Sequence, residues 1–138
     1  MNLGSTYSAH FVQIVFSVHR REPLLSPIWE AELYKYIAGI INNRGNKSIA
    51  INGMPDHIHI LIKLSPGERV SDLVREVKKS SLVFIRKKLF GRKQFNWQRG
   101  YAVISYNERD LDRIKNYIAG QKEHHRFKSP NHKVDPLQ

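Results

Sequence analysis

Four side chains have types and spacings that could do chemistry: His57 and His59, two residues apart, and Tyr117 and Gln121, four apart. If residues 57–64 (HIHILIKL) form a strand, its side chains alternate between faces. Both imidazoles then point the same way, with α-carbons about 7 Å apart, close enough to converge on one ion. Spacing alone equally fits a polar pair on a solvent-facing strand. Context carries the metal reading further, because the histidines interrupt an otherwise apolar segment, where imidazoles need partners or a ligand. On a helix, Tyr117 and Gln121 are neighbours on one surface, so hydroxyl and amide could reach the same point. A tyrosine at the edge of an apolar stripe can also be simple packing, and the spacing does not decide between the two. The chain has no cysteine. Any metal must therefore rest on histidine, carboxylate or amide ligands, and thiolate zinc sites, disulfides and cysteine nucleophiles are excluded.

The elements that must position these residues are legible from periodicity. Residues 10–18 put Val12, Ile14, Phe16 and Val18 on one side and Phe11, Gln13, Val15 and Ser17 on the other, a first strand. Ser26-Pro27 predicts a helix start, followed by Trp29, Leu33, Ile37, Ile40 and Ile41 at helical spacing until Asn42, Asn43 and Gly45. Residues 47–53 and 57–64 read as a hairpin around Gly53-Met54-Pro55-Asp56. A second, basic helix spans 69–89, a fourth strand runs from Tyr101 to Tyr106, and a last helix covers about 108–124, capped by Asn107. Residues 126–138 read as a polar tail. The order β-α-β-β-α-β plus one helix predicts an α+β, ferredoxin-like (RRM-like) antiparallel sheet, with two helices on one face and the other face open. The first and third strands would lie side by side at its centre, so Gln13, His57 and His59 would share the open face.

Length and charge bound the rest. The 138 residues suit a single domain, 1–138, large enough to bury a core without crosslinks. Lys and Arg number 23 against 12 Asp and Glu, a formal charge of +11 that favours nucleic acid as partner. No apolar run is long enough to span a bilayer, no lipidation motif is present, and MNLGSTYSAH lacks the features of a secretory signal. A cytoplasmic protein with no membrane partner is expected.

The string PDHIHILIKL, 55–64, resembles the HUH motif (histidine, bulky apolar, histidine) of the single-tyrosine transposases of the smallest prokaryotic insertion sequences, the transposase-A type that includes the REP-associated tyrosine transposases. HRREPLL after the first strand, NWQRGYAVISY at 96–106 and DLDRIKNYIAGQ at 110–121 resemble that family in order and spacing, over nearly the whole chain. The resemblance implies that Tyr117 is the catalytic nucleophile and that His57, His59 and Gln121 hold a divalent ion. It points to Mg2+ or Mn2+, whereas general ligand preference for two imidazoles and an amide favours zinc or manganese. It further implies DNA nicking and rejoining through a 5′-phosphotyrosine, single-stranded DNA carrying a hairpin as substrate, and a homodimer whose subunits share their active sites.

Arg69, Arg75, Lys78, Lys79, Arg86 and Lys87 on the basic helix, with Lys115 and Lys122 near the tyrosine, are the expected nucleic-acid contacts, although such a charged helix can equally be a solvated face. Other readings remain open. The chain could be a non-catalytic RRM-like binding protein, a hydrolase in which water attacks, or a domesticated relative that processes host repeats.

Overall fold

The computed structural model of the chain describes residues 7–90 and 94–126. Residues 127–138 of the expected tail and residues 91–93 lie outside them. The strands are β1 (His10–Ser17), β2 (Lys47–Met54), β3 (His57–Leu64) and β4 (Ala102–Tyr106), and they form one sheet in the order β2-β3-β1-β4. Every neighbouring pair is antiparallel. The helices are α1 (Glu30–Asn43), α2 (Val70–Lys88), α3 (Leu111–Ala119) and α4 (Gln121–Arg126). The architecture is the expected α+β arrangement, with β1 and β3 central.

Strand alternation sorts the side chains. Val12, Ile14 and Phe16 of β1 and Ile58, Ile60 and Ile62 of β3 form the floor of the main core. Leu33, Ile37 and Ile41 of α1, four apart, and Leu73, Val74, Val77 and Ile85 of α2 close over it. Phe16, Phe95 and Trp97 meet edge to face at one end, and the Trp97 indole N–H donates to the Ser81 hydroxyl at 3.0 Å. Those contacts bring the segment leading into β4 back against α2.

The opposite face is not open. α3 packs across β2 and β3, and Ile114 and Ile118 bury Leu61 beneath them, flanked by Ile49, Ala50, Leu111 and Tyr117. Two local predictions also change. The last helix is not continuous: a 3-10 turn (Glu108–Asp110) leads into α3, and Gly120 separates α3 from α4. Asn107 gives no side-chain cap; its backbone carbonyl accepts from the Asp110 N–H instead. At the other expected helix start, the Ser26 hydroxyl accepts from the Ile28 N–H at 3.1 Å, but this heads a turn that precedes α1, which begins only at Glu30.

Candidate active site

Along β3, His57, His59 and Leu61 project from the face that α3 covers, and the register pairs Val15 with His59 and Gln13 with Leu61. The two imidazoles lie edge to face with centroids 5.1 Å apart, and both are buried, at 1% and 0% exposure. Gln121, at the start of α4, is also fully buried. Tyr117, one turn earlier and half-buried, sets its ring edge-on to His59 with centroids 6.1 Å apart. His57, His59 and Tyr117 are thus brought together, and Gln121 is buried on the element that follows, so Tyr117 and Gln121 sit on either side of the break at Gly120 and not on one helix.

Each imidazole is fixed through Nδ1. The His57 Nδ1–H donates to the Asp56 carboxylate at 2.6 Å, and Asp56 in turn accepts from Arg21 Nε at 3.0 Å. The His59 Nδ1–H donates to the Gln13 side-chain carbonyl at 2.8 Å, while the Gln13 amide donates to the Tyr106 hydroxyl at 2.9 Å. A carboxylate and an amide oxygen can only accept, so in each neutral ring the lone pair is at Nε2. That is the tautomer a metal-binding imidazole needs, with the outer hydrogen bond setting ring orientation. Burial raises the Asp56 carboxyl, but hydrogen bonding and charge from His57 and Arg21 outweigh it and hold the group below the usual carboxylate range.

Sequence reasoning placed Gln13 on the right face but gave it no role, and it missed Asp56, Arg21 and Tyr106. For Asp56 and Arg21 the available signals were an acid directly before the first histidine and the basic run after β1. Arg20 and Arg21 both adopt left-handed backbone conformations, at φ 58° and 57°, which are unfavourable for side chains of this size. The strain is held by the Arg21 N–H to the Val18 carbonyl and by Val18 and Leu25 N–H groups on the Asp56 and Pro55 carbonyls. It delivers the guanidinium to Asp56. Gly53 opens the same turn, and a Cβ there would collide with the His57 carbonyl.

The cations expected to meet nucleic acid divide. α2 lies on the face opposite the histidines, so its cations could reach a strand bound at the site only around the sheet edge. Lys78 donates to the Gln98 and Gly100 carbonyls at 2.8 and 2.7 Å, and burial pushes its ammonium pKa down. Arg86 donates to the Phe95 carbonyl and the Asn96 side chain. Lys122 donates to the Asn52 side-chain oxygen at 3.1 Å and the Gly53 carbonyl at 2.9 Å, and pairs with Glu30 at 2.9 Å. All three thus also serve as ties within the fold. Arg69, Lys79, Lys87 and Lys115 are exposed, and exposed Arg75 is paired only loosely with Asp72, at 3.3 Å.

Among the described residues no group of three or more His, Cys, Asp or Glu gathers as a metal site. A cation here would depend on two imidazoles and an amide. Those donors are chemically suited to a borderline divalent ion, and the Nδ1 anchoring of both rings fits that use.

A fold with two histidines on a central strand and a tyrosine helix laid over them defines a class. The family model for IS200-like transposases matches residues 6–121, and the chain belongs to that family. Family membership places it among proteins that cut and rejoin DNA. The transposase TnpA of ISDra2 from Deinococcus radiodurans is 25% identical over 125 residues, covering 86% of this chain and 87% of that protein. In fold, the chain resembles a crystal structure of a candidate transposase from D. radiodurans R1, with TM-score 0.68 and 23% identity over 88% of this chain and 98% of the other. It also resembles the REP-associated tyrosine transposase bound to a REP hairpin, with TM-score 0.64 and 21% identity over 91% and 74%. Among the described residues no helix is long and apolar enough to cross a membrane.

Proposed function

We propose that this transposase is a single-strand DNA endonuclease and strand transferase whose nucleophile is Tyr117 and whose divalent metal, magnesium or manganese, is held by His57, His59 and Gln121. The observation that carries the reading is the pair of buried, Nδ1-anchored imidazoles, with Tyr117 set edge-on to one of them and the buried Gln121 four residues further on.

A phenol with an ordinary pKa near 10 is a weak nucleophile at neutral pH. When bound, the cation supplies charge neutralisation on a non-bridging phosphate oxygen and orients the scissile bond. Tyr117 gives up its hydroxyl proton and its oxygen bonds to phosphorus. The bond from phosphorus to the 3′-oxygen breaks, and that oxygen leaves as a hydroxyl after taking a proton. The product is a 5′-phosphotyrosine, and the exchange of one phosphodiester for another needs no nucleotide hydrolysis. A different 3′-hydroxyl can then reverse the step and join a new strand.

The substrate proposed is single-stranded DNA bearing a hairpin, a class supported by the hairpin-bound structural relative. On the same face as the histidines, at the far end of α3, a cleft of about 390 Å3 is lined by Lys47, Lys63 and Lys115 together with Glu108 and Asp112. The three lysines along the groove suit a phosphate backbone, with the two carboxylates setting where along it the strand can lie. The reading includes a homodimer, but with Tyr117 set against His59 of its own chain each active site is read as completed in cis.

The test is incubation with labelled single-stranded hairpins drawn from the genomic flanks, with and without manganese or magnesium. A denaturant-stable protein–DNA adduct should form only with metal and should vanish in Tyr117→Phe and His57→Ala. Cleavage that survives Tyr117→Phe without an adduct would make water the nucleophile. Tight binding with no cleavage would leave a binding protein.

A further inference from the structure

The tyrosine helix is held down by very little apolar surface, yet Tyr117 must stand at a fixed distance from His59. On the helix side, Ile114 and Ile118 are the fully buried apolar residues of α3. Polar ties at the end of the helix converge on one residue of β2. Asn52 is the register partner of His59 across the β2–β3 ladder. Its amide donates to the carbonyls of Ile118 and Ala119, at 3.0 and 3.2 Å, the last turn of α3, where backbone acceptors lack helical partners. Its side-chain oxygen accepts from the Gly53 N–H at 2.9 Å and from Lys122 at 3.1 Å. Every hydrogen-bonding group of that amide is used.

Lys122 extends the arrangement around the sheet edge. Besides Asn52 it reaches the Gly53 carbonyl and, at 2.9 Å, the Glu30 carboxylate in the first turn of α1. Glu30 also accepts from the Tyr34 hydroxyl at 3.2 Å, and burial together with that carboxylate pushes the Tyr34 pKa well above the usual phenol range. The tyrosine helix is therefore tied to the residue beside His59 and, through α4, to the rigid α1–α2 layer.

We infer that Asn52 is a positioning residue for Tyr117, which with Lys122 and Glu30 forms a latch that docks the C-terminal end of α3 in register with His59. A strand register fixes Asn52 against His59, and two hydrogen bonds fix the helix end against Asn52, one residue beyond Tyr117. The position of the phenol relative to the histidines is thus set by directional bonds. Nonpolar contacts alone would let a short helix slide or roll. The inference rests on Tyr117 being the nucleophile, but its structural half can be read without any reaction.

Two variants test it in the full chain. Asn52→Asp keeps the shape and the acceptor for Lys122 but replaces the amide donor with a carboxylate oxygen facing two carbonyls at the negative end of a helix. Lys122→Met removes only the ammonium. Hydrogen exchange of amides 111–123 should accelerate about tenfold or more in Asn52→Asp and less in Lys122→Met, with α1 and α2 unaffected. Single-turnover formation of the DNA adduct should slow by a similar factor in Asn52→Asp, while affinity for hairpin DNA stays within about twofold. Unchanged exchange in both variants overturns the latch. Faster exchange with undiminished adduct formation overturns the positioning role. Should Tyr117→Phe still form the adduct, the nucleophile assignment has failed, and the exchange data alone then decide whether the latch exists.

Discussion

On the α1–α2 face, Leu33, Ile37 and Ile41 from one helix and Leu73, Val77 and Ile85 from the other meet Val12, Ile14, Phe16, Ile58, Ile60 and Ile62. On the α3 face, among the described residues, Leu61, Ile114 and Ile118 form a smaller buried apolar cluster, with Phe11 and Val15 also buried, beside Gln13, His57, His59 and Gln121, which are as deeply buried. The same two strands supply both surfaces, so the difference lies in alternate residues of one pair. Nonpolar burial is roughly additive in area and indifferent to direction. Buried amides and imidazoles contribute little net stability but fix orientation, because each unmade hydrogen bond costs more than a made one gains. One face supplies the free energy that keeps the sheet folded, and the other spends some of it to hold groups at set angles.

The comparison breaks most visibly if a core side chain proves dispensable. Ile37→Ala removes a fully buried side chain from the middle of α1 and should cost about 2–5 kcal/mol in denaturant unfolding, while the activity of the molecules still folded is unchanged. A loss below about 1 kcal/mol would mean that the layer yields to fill the gap and that the division of labour is overdrawn.

A smaller effect sharpens the other side. Gln13→Leu keeps the bulk of a buried side chain but leaves His59 Nδ1 without its acceptor and the Tyr106 hydroxyl without its donor. The ring is then free to move its proton to Nε2 or to rotate. Affinity for Mn2+, measured by titration calorimetry on the protein alone, should fall about 10- to 100-fold, with the melting temperature little changed. Equal loss of metal affinity and of fold would place Gln13 in the scaffold and not in the site.

Much of this division was legible in the sequence because both strands obey a two-residue period, and the period alone puts His57, His59 and Gln13 together against Ile58, Ile60 and Ile62. The amphipathic spacing of α1 and α2 likewise assigned their buried stripes. Where a flexible polar side chain ends is not legible in the same way. Lys78, Arg86 and Lys122 look like other surface cations in the sequence, yet each finds carbonyl or side-chain oxygens that only the tertiary path brings near. Asn52 gave no signal, since its partners lie 66 and 67 residues away. The covered second face was missed because the apolar stripe of α3 is narrow, and the break at Gly120 was read through as helix.

The weakest predicted effect probes one end of the α1–α2 layer. Glu68 accepts from Arg44 through both oxygens, at 2.7 and 2.9 Å, and from the Asn46 amide at 3.0 Å, tying the end of α1 to the turn before α2. Arg44, with Asn46, holds the Glu68 carboxyl below its usual value near 4.5, despite the opposing effect of burial. A carboxyl whose pKa is lower in the folded than in the unfolded chain contributes stability that is fully present above the unfolded value and is lost as pH falls through the folded one. Melting curves of the wild-type chain and Glu68→Gln should therefore differ by a small, constant amount above about pH 5 and converge as the pH drops below 4. Because only the difference between the two proteins is read, other carboxyls titrating in that window cancel. A gap that persists unchanged at low pH would mean that the glutamine loses packing or geometry and not charge, and the tie would then belong with the shape-determined face and not with the bond-determined one.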